Sequence, residues 1–382
     1  MKILHIIPSL GQGGAERSLL NYLEGSDEDP KDEPVLLISS KEFYLQHNIY
    51  DKNKRIFAAI FSTKIGILAQ LVREIYLNPP QVIMCWMYHS MVIGWLIKLL
   101  LAISGKKVQI YWNFRQCFSA WNREKFFTRL VILFLKLIQR FASGFIFNSE
   151  SAKFSHESIG FSNSKVIVLN NQFDYHRFCR LDLENIKKIK NRLGLSHDSK
   201  LICHVGRLHT IKNHRMFLRV ISDLLKSEKD IDFHVVLIGE DVSGENIQFR
   251  SLLSEFDLLV EPRIHALGIQ PRVELFIGSS ALYVQTSDSE SYPNALCEAM
   301  LCENVVVATD VGATREIVGS TNFLIGPGCD DELKAGILWA LHLSESEVKN
   351  IGAQNRRSII KETSSGEGKN RIRTFMFTGG RF

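Results

Sequence analysis

Short apolar runs alternate with helical patterns twice along this chain, and that rhythm limits the fold more than any other feature. In the first block the strand-like runs are Lys2–Ile7, Pro34–Ile38, Val82–Trp86, Val108–Trp112, Gly144–Phe147 and Lys165–Leu169. The pattern restarts at Lys200–Val205 and continues through Phe233–Ile238, Val273–Phe276, Ala281–Gln285 and Val305–Ala308. Runs that are apolar on consecutive residues suit strands covered on both faces, and helices between them, such as Ala15–Leu23 and Lys125–Phe141, supply the cover. The expected fold class is therefore α/β, with parallel sheets built from βαβ units. A length of 382 residues suits two such domains. Between the blocks, Asn171–Ser199 is polar, Lys-rich and without a strand pattern, which makes it the boundary.

The boundary divides the chain into 1–178, 179–345 and a polar remainder, 346–382. In that remainder Ser364-Ser365-Gly366-Glu367-Gly368 should interrupt any long helix, and Phe375–Phe382 shows no clear period. The expectation is a weakly ordered tail.

Charge is informative only when resolved along the chain. Forty-six Lys+Arg against 41 Asp+Glu give a net +5. Between Lys106 and Arg140, however, stand eight Lys/Arg and one acid, Glu124, a local +7, with Trp86, Trp95, Trp112 and Trp121 in or just before the window. Within Lys125–Phe141, Lys125, Arg129, Lys136 and Arg140 fall in an arc of roughly 60° on an otherwise apolar helix. Two readings stay open: a domain helix with solvated charges, or a helix lying on an anionic membrane surface through 106–140. No nucleic-acid-binding motif accompanies the charge. The seven cysteines show no CxxC or Cys/His ligand spacing, so neither a disulfide framework nor structural zinc is indicated, and a reducing cytoplasm is the simple expectation. Met91–Ile103, interrupted by Lys98, falls short of the roughly 20 residues of a membrane span, and Ile3–Ile7 is too short for a signal peptide.

Three segments could carry chemistry. Gly11-Gln12-Gly13-Gly14-Ala15-Glu16-Arg17 lies between a buried strand and a helix, where glycines let the backbone approach a phosphate. Glu16 occupies the place of the third glycine of a dinucleotide fingerprint, which weakens a nicotinamide oxidoreductase. A tight strand-to-helix turn explains the same residues. Val205-Gly206-Arg207-Leu208 followed by Lys212-Asn213-His214 puts a guanidinium and an ammonium at the carboxyl end of a strand, a suitable pair for a diphosphate unless they are a solvated loop. Thr286 to Met300 carries Glu290 and Glu298 eight residues apart, around a polar turn and a helix start.

Taken in order, these segments resemble the retaining glycosyltransferases with two facing Rossmann-like domains, the GT-B fold of the family 4 group. The matching pieces are Gly13-Gly14-Ala15-Glu16, Val205-Gly206-Arg207 to Lys212-Asn213-His214, Glu290-x7-Glu298, and Ala308-Thr309-Asp310-Val311-Gly312-Ala313 with Glu316, spanning about Met1 to Pro327. The resemblance implies an active site in the interdomain cleft, an acceptor-side first domain and a nucleotide-sugar-binding second one. It implies Arg207 and Lys212 on the donor diphosphate, Glu290 on the donor sugar, Glu298 on the ribose, and the backbone of Asn294, Ala295 and Leu296 near phosphates and sugar. Gly13 and Gly14 would close over the phosphates, His89 would lie near the transferred sugar, and Arg115 would be an acceptor-side residue. The implied activity moves a sugar from a UDP- or GDP-sugar to a glycan or lipid-linked acceptor, as in cell-surface polysaccharide or lipopolysaccharide synthesis. It needs no metal and no cofactor, and it suits a cytoplasmic enzyme peripheral to the inner face of the membrane.

The chain departs from that pattern at Ser291, where glycine is common, and at Asn170-Asn171, where Asn-Gly is usual. Its last segment also differs from the family's closing helix. Two other readings remain: a metal-dependent transferase using Asp27-Glu28-Asp29, and a nucleotide-sugar-binding protein without catalysis.

Overall fold

A computed structural model describes residues 2–8, 14–24, 35–37, 56–57, 73, 75–363 and 368–378. The chain forms two compact units, Met1–Gln172 with Ser365–Phe382, and Phe173–Ser364.

In the first unit the strands are β1 (Ile3–Ile7), β2 (Val35–Leu37), β3 (Ile56–Phe57), β4 (Val82–Trp86), β5 (Gln109–Phe114), β6 (Gly144–Phe147) and β7 (Val166–Val168). They form one parallel sheet in the order β3-β2-β1-β4-β5-β6-β7. Helix α1 (Gly14–Glu24) follows β1, α2 (Tyr88–Ile103) follows β4, α3 (Phe126–Ile138) follows β5 and α4 (Glu150–Ser158) follows β6. Every residue of β1, β4 and β6 is buried, the condition that the unbroken apolar runs anticipate. The core on one side is largely aromatic. Trp112 stacks on Phe145 at 5.4 Å and Phe114 on Phe147 at 4.8 Å. Beside them His156 is buried; its Nδ1 lies 2.7 Å from the Ala152 carbonyl, so that nitrogen carries the proton and Nε2 accepts from the Tyr88 hydroxyl, also at 2.7 Å.

The second unit begins with α5 (Leu183–Arg192), capped by the Asp182 carboxylate. It continues with β8 (Lys200–Val205), α6 (His214–Ser227), β9 (Phe233–Ile238), α7 (Ile247–Glu255), β10 (Ile264–Ala266), α8 (Val273–Ser279), β11 (Leu282–Gln285), α9 (Asn294–Leu301), β12 (Val305–Thr309), α10 (Thr314–Val318), β13 (Phe323–Ile325), α11 (Asp330–His342) and α12 (Glu345–Thr363). Its parallel sheet runs β10-β9-β8-β11-β12-β13. α12 is stapled to this unit by Arg356, whose guanidinium donates to the carbonyls of Tyr175, Phe178 and Leu301.

Two expectations need correcting. Val273–Phe276 is not a strand but the start of α8, in which all residues except Leu275 are buried. A short apolar run has no period that separates a buried helix from a buried strand. The segment expected to be a weakly ordered tail is largely helical. Besides α12, Gly368–Thr378 forms α13, whose Ile372, Phe375 and Met376 are buried in the first unit's core. Tyr111 seals that contact, its hydroxyl donating to the Met376 carbonyl at 3.0 Å and its ring meeting Phe375 edge-on. The spacing 372, 375, 376 is a helical stripe whose first member lies upstream of Phe375–Phe382, the window in which no period is visible. Ser364–Glu367, the glycine-serine break, lies outside the described residues.

Candidate functional site

Strand order puts the site where it is. In the second unit, β8 and β11 are sheet neighbours although βαβ crossovers carry the chain away from β8 on one side and onward from β11 on the other. Such a switch point opens a crevice beyond the carboxyl ends of its two strands. The loop after β8 is Gly206–Asn213 and the loop after β11 is Thr286–Pro293, so the two polar segments singled out in the sequence meet there.

Side chains tie these loops together. Lys212 Nζ donates to Glu290 Oε1 at 2.5 Å, and Ser287 Oγ donates to the same oxygen at 2.7 Å. Ser287 is itself held through its carbonyl by Thr309 Oγ1 at 2.6 Å. Thr286 Oγ1 bonds the carbonyls of Lys212 and Asn213, while Asn213 Nδ2 reaches Asp288 Oδ1 at 2.9 Å. Asn213 stands in the left-handed region (φ 48°), accepts from the Met216 N–H through its own side chain, and so ends one loop and caps α6 together.

Two glycines permit this closeness. A Cβ at Gly239 would lie 2.1 Å from the Gly206 carbonyl oxygen, and one at Gly312 (φ +58°) 1.9 Å from the Glu290 carbonyl oxygen. Gly312 therefore lets the Asp310–Ala313 turn pass directly beneath Glu290, where Ala313 N donates to the Ser291 carbonyl at 3.1 Å. Ser291 is buried there as part of the turn.

The floor of the crevice is the start of α9. Its first backbone bond runs from Cys297 N to Pro293 O, so the N–H groups of Asn294, Ala295 and Leu296 have no acceptor within the helix. They give that end a positive field. Lys212, Ser287, Glu290, Asn294 and Ala295 line one small pocket with Tyr283 and Gln285. Glu298 sits one turn further along, 1% exposed among Leu296, Cys297, Ala299, Met300 and Leu301. A carboxylate in so apolar a helix costs several kcal/mol unless partnered. Arg207 is exposed at the mouth. Among the described residues it has no ion-pair partner.

Beneath the cationic loop lie two histidines, one of them missed by sequence reasoning. His204 and His214 are buried with their rings 4.8 Å apart. Burial drives the pKa of His204 well down, reinforced by His214 and Lys212, and holds His214 down at about 4. Neutral imidazoles fill the space under Lys212 without adding charge. His204 is embedded in the apolar run Leu201–Val205, and only its partnership with Thr286 (3.3 Å), a non-local contact, marks it out.

The first unit has its own switch point, between β1 and β4. Gly14 opens α1 there, whereas Gly13 lies outside the described residues, as do Asp27-Glu28-Asp29. After β4, Met87 takes φ 71°, a strained turn that starts α2 and leaves His89 exposed in the first helical turn. Burial of part of the His89 ring lowers its pKa. Arg115, after β5, donates to Asn171 Oδ1 at 2.7 Å and lies 5.0 Å over the Trp86 ring. Burial pushes its pKa down to about 9. Asn171 also accepts from Ser18 Oγ, and neither Asn170 nor Asn171 has a positive φ. The asparagine thus serves as a hydrogen-bond acceptor, not as a substitute for a left-handed glycine. Among the described residues no group of three His, Cys, Asp or Glu could hold a metal ion.

Residues 199–342 match the family model for glycosyl transferases group 1, a span that includes Arg207, Lys212, Glu290 and Glu298. The matched span lies within the second unit. Among curated relatives, the Bacillus anthracis N-acetyl-alpha-D-glucosaminyl L-malate synthase is 25% identical over 53% of this chain and 51% of its own length. A Campylobacter jejuni 4-alpha-N-acetylgalactosaminyltransferase acting on a diphospho-undecaprenol glycan is 29% identical over 40% of this chain and 39% of its own. The matches thus span about half or less of these two relatives. The putative glycosyltransferase EpsF of Bacillus subtilis is 23% identical over 95% of this chain and 91% of that protein. In structure, the chain is similar to Anabaena HepE, solved with UDP and glucose (TM-score 0.81, 20% identity, covering 99% of this chain and 100% of that one). It is also similar to sucrose-phosphate synthase from Thermosynechococcus elongatus (TM-score 0.78, 14% identity, 99% of each chain). The fold is GT-B, two parallel-sheet α/β domains.

Proposed function

We propose that this protein is a retaining glycosyltransferase that moves a sugar from a nucleoside-diphosphate sugar, UDP- or GDP-linked, to a glycan or lipid-linked acceptor, in cell-surface polysaccharide synthesis. The observation that carries the reading is the Lys212–Glu290 pair, braced by Ser287 and Thr286 at the open amino end of α9, inside the segment that matches the transferase family.

The chemistry is substitution at an anomeric carbon with a diphosphate leaving. Negative charge grows on the diphosphate as the glycosidic bond breaks, and a positive, oxocarbenium-like charge grows on the sugar. Arg207 serves as a bidentate clamp and Lys212 as a mobile point charge on the leaving group, with the N–H groups of Asn294, Ala295 and Leu296 adding fixed donors. In the unliganded site Glu290 neutralises Lys212 and keeps it aimed at the crevice. With donor bound, Lys212 turns to the diphosphate and Glu290 to hydroxyls of the sugar. Glu298 takes the ribose hydroxyls. Gly13 and Gly14 approach the phosphates, His89 the transferred sugar and Arg115 the acceptor. The two glutamates are not an acid–base pair. Two cations and a helix terminus meet the leaving group's charge, so the reaction runs without a metal. A lipid-linked acceptor places the work at the inner, cytoplasmic face of a membrane, with the protein peripheral to it. The Campylobacter jejuni relative that acts on a diphospho-undecaprenol glycan, and HepE with its bound UDP and glucose, support this reading.

A panel of UDP- and GDP-sugars, followed by donor turnover with and without EDTA, tests it. Turnover that survives EDTA is expected. Loss of all activity in chelator would point to the metal-dependent alternative, and tight donor binding with no transfer to any acceptor to a binding protein.

A further inference from the structure

Helix α3 has more apolar surface than the first unit covers. Ile132, Leu135 and Ile138 are buried against the core. On another sector Phe126, Phe127, Leu130, Leu133 and Leu137 face solvent, Phe127 at 76% and Leu137 at 75% exposure. At 3.6 residues per turn these five fall within roughly 120° of the helix surface, beside the arc that holds Lys125, Arg129, Lys136 and Arg140. The helix therefore has three sectors: one in the core, one cationic, and one apolar and bare.

Its neighbour α2 also leaves an apolar stripe uncovered. Trp95 of α2 packs edge-on against Phe134 of α3 at 5.4 Å, so the helices lie side by side. Leu96, Leu99, Leu100 and Ile103 of α2, spaced as one helical stripe, are exposed, Ile103 at 77%. Lys98, on another sector of α2, donates from its Nζ to the Phe141 carbonyl at 2.7 Å. Exposed aromatic and aliphatic side chains on two adjacent helices exceed the scattered singles that a soluble surface ordinarily carries.

Charge identifies the occupant. Setting aside Arg115, which bonds Asn171 over the Trp86 ring, the chain from Met87 to Ser149 has eight Lys/Arg (98, 106, 107, 123, 125, 129, 136, 140) and one acid, Glu124. Burial raises the pKa of Glu124. An apolar face bordered by cations and almost free of carboxylates matches a bilayer surface rich in anionic lipid, where apolar side chains enter the acyl boundary and Lys/Arg meet headgroups. No helix among the described residues is long and apolar enough to cross a membrane, so this contact would lie on the surface. We infer that the exposed apolar faces of α2 and α3, with the cations that border them, form one docking surface for an anionic membrane. The inference rests on the proposed membrane-side function for its purpose but on this face alone for its evidence.

Flotation of the full-length protein with vesicles of phosphatidylcholine alone, or mixed three to one with phosphatidylglycerol, tests it, with donor turnover measured on the same samples. Binding to the mixed vesicles, weakening as salt rises, is expected. Phe126→Glu/Phe127→Glu/Leu137→Glu should lower the partition coefficient at least tenfold. Lys125→Ala/Arg140→Ala should lower it about thirtyfold on mixed vesicles and hardly at all on neutral ones. Both variants should keep the wild-type thermal midpoint and soluble donor turnover, because these residues lie outside the donor site. Equal binding to both vesicle types, strong or negligible, overturns the inference. So does a concentration-dependent dimer in chromatography that the triple-Glu variant dissociates while wild type fails to float, since a second copy would then cover the face. Absent donor turnover with intact flotation would strike the proposed activity and leave this surface standing.

Discussion

Helices α3 and α9 are both short and apolar, yet the structure uses them in opposite ways. In α9 every residue from Leu296 to Leu301 is buried, and the charged one, Glu298, is embedded among apolar neighbours. In α3 only Ile132, Leu135 and Ile138 are buried, and Phe127 and Leu137 are largely in solvent. An apolar residue in α9 is therefore core and a polar one is an exception that needs a reason. In α3 the polar residues are ordinary and the bare phenylalanines are the exception. The same composition points to chemistry in one unit and to an interaction surface in the other.

Substitutions can break that contrast. The largest effect belongs to the site beside α9. Lys212→Ala should lower kcat for donor turnover by about 10² to 10³, the usual cost of one group that stabilises a leaving anion. Lys212→Arg should recover part of it, and an unchanged thermal midpoint would separate chemistry from folding. Wild-type turnover in Lys212→Ala would remove the assignment. Next comes packing. Leu296→Ala should cost about 2–5 kcal/mol in denaturant unfolding. Leu137→Ala, deleting similar atoms from the bare sector of α3, should stay within about 0.5 kcal/mol. Equal costs would show that Leu137 is covered in solution.

Acid should act on both units. His156 in the first and His214 in the second are each held down at about 4 by burial, against an ordinary value near 6.5. The unfolded chain then takes up protons before the folded one, so stability is full above about pH 6.5 and falls as pH drops toward 4, by about 2 kcal/mol for each histidine at pH 5. Thermal midpoints measured from pH 7.5 to 5 should decline, and His214→Gln should flatten the slope. A midpoint that rises on acidification would contradict the burial of both rings. Tyr88→Phe, which strips His156 Nε2 of its donor, should cost about 1–3 kcal/mol in the first unit while leaving donor affinity unchanged.

Much of this was legible in the chain itself. The parallel α/β class, most of the strands and the pairing of the Arg207–Lys212 and Glu290–Glu298 segments with strand ends follow from apolar runs and from where glycine and charge interrupt them. Local signals failed where an element's identity depends on what it packs against. Val273–Phe276 is a helix because Arg177 and Arg272 hold Glu274 on a buried turn, a contact between residues far apart or outside the run. α13 was unreadable because Ile372, Phe375 and Met376 form a stripe only once Tyr111 and the sheet supply the surface they fill. His204 looked like one more member of a buried strand.

The sequence alone determined that two sheets form, which loops follow their strands, and that a cationic, aromatic segment belongs to one half, because these depend on side-chain period and composition. The tertiary structure decided which loops meet. Strand order sets β11 beside β8, Gly312 lets a turn pass under Glu290, and Lys212 finds its carboxylate across 78 residues of chain. It also decided which apolar sectors are left over, since burial is a property of neighbours and no residue carries it alone.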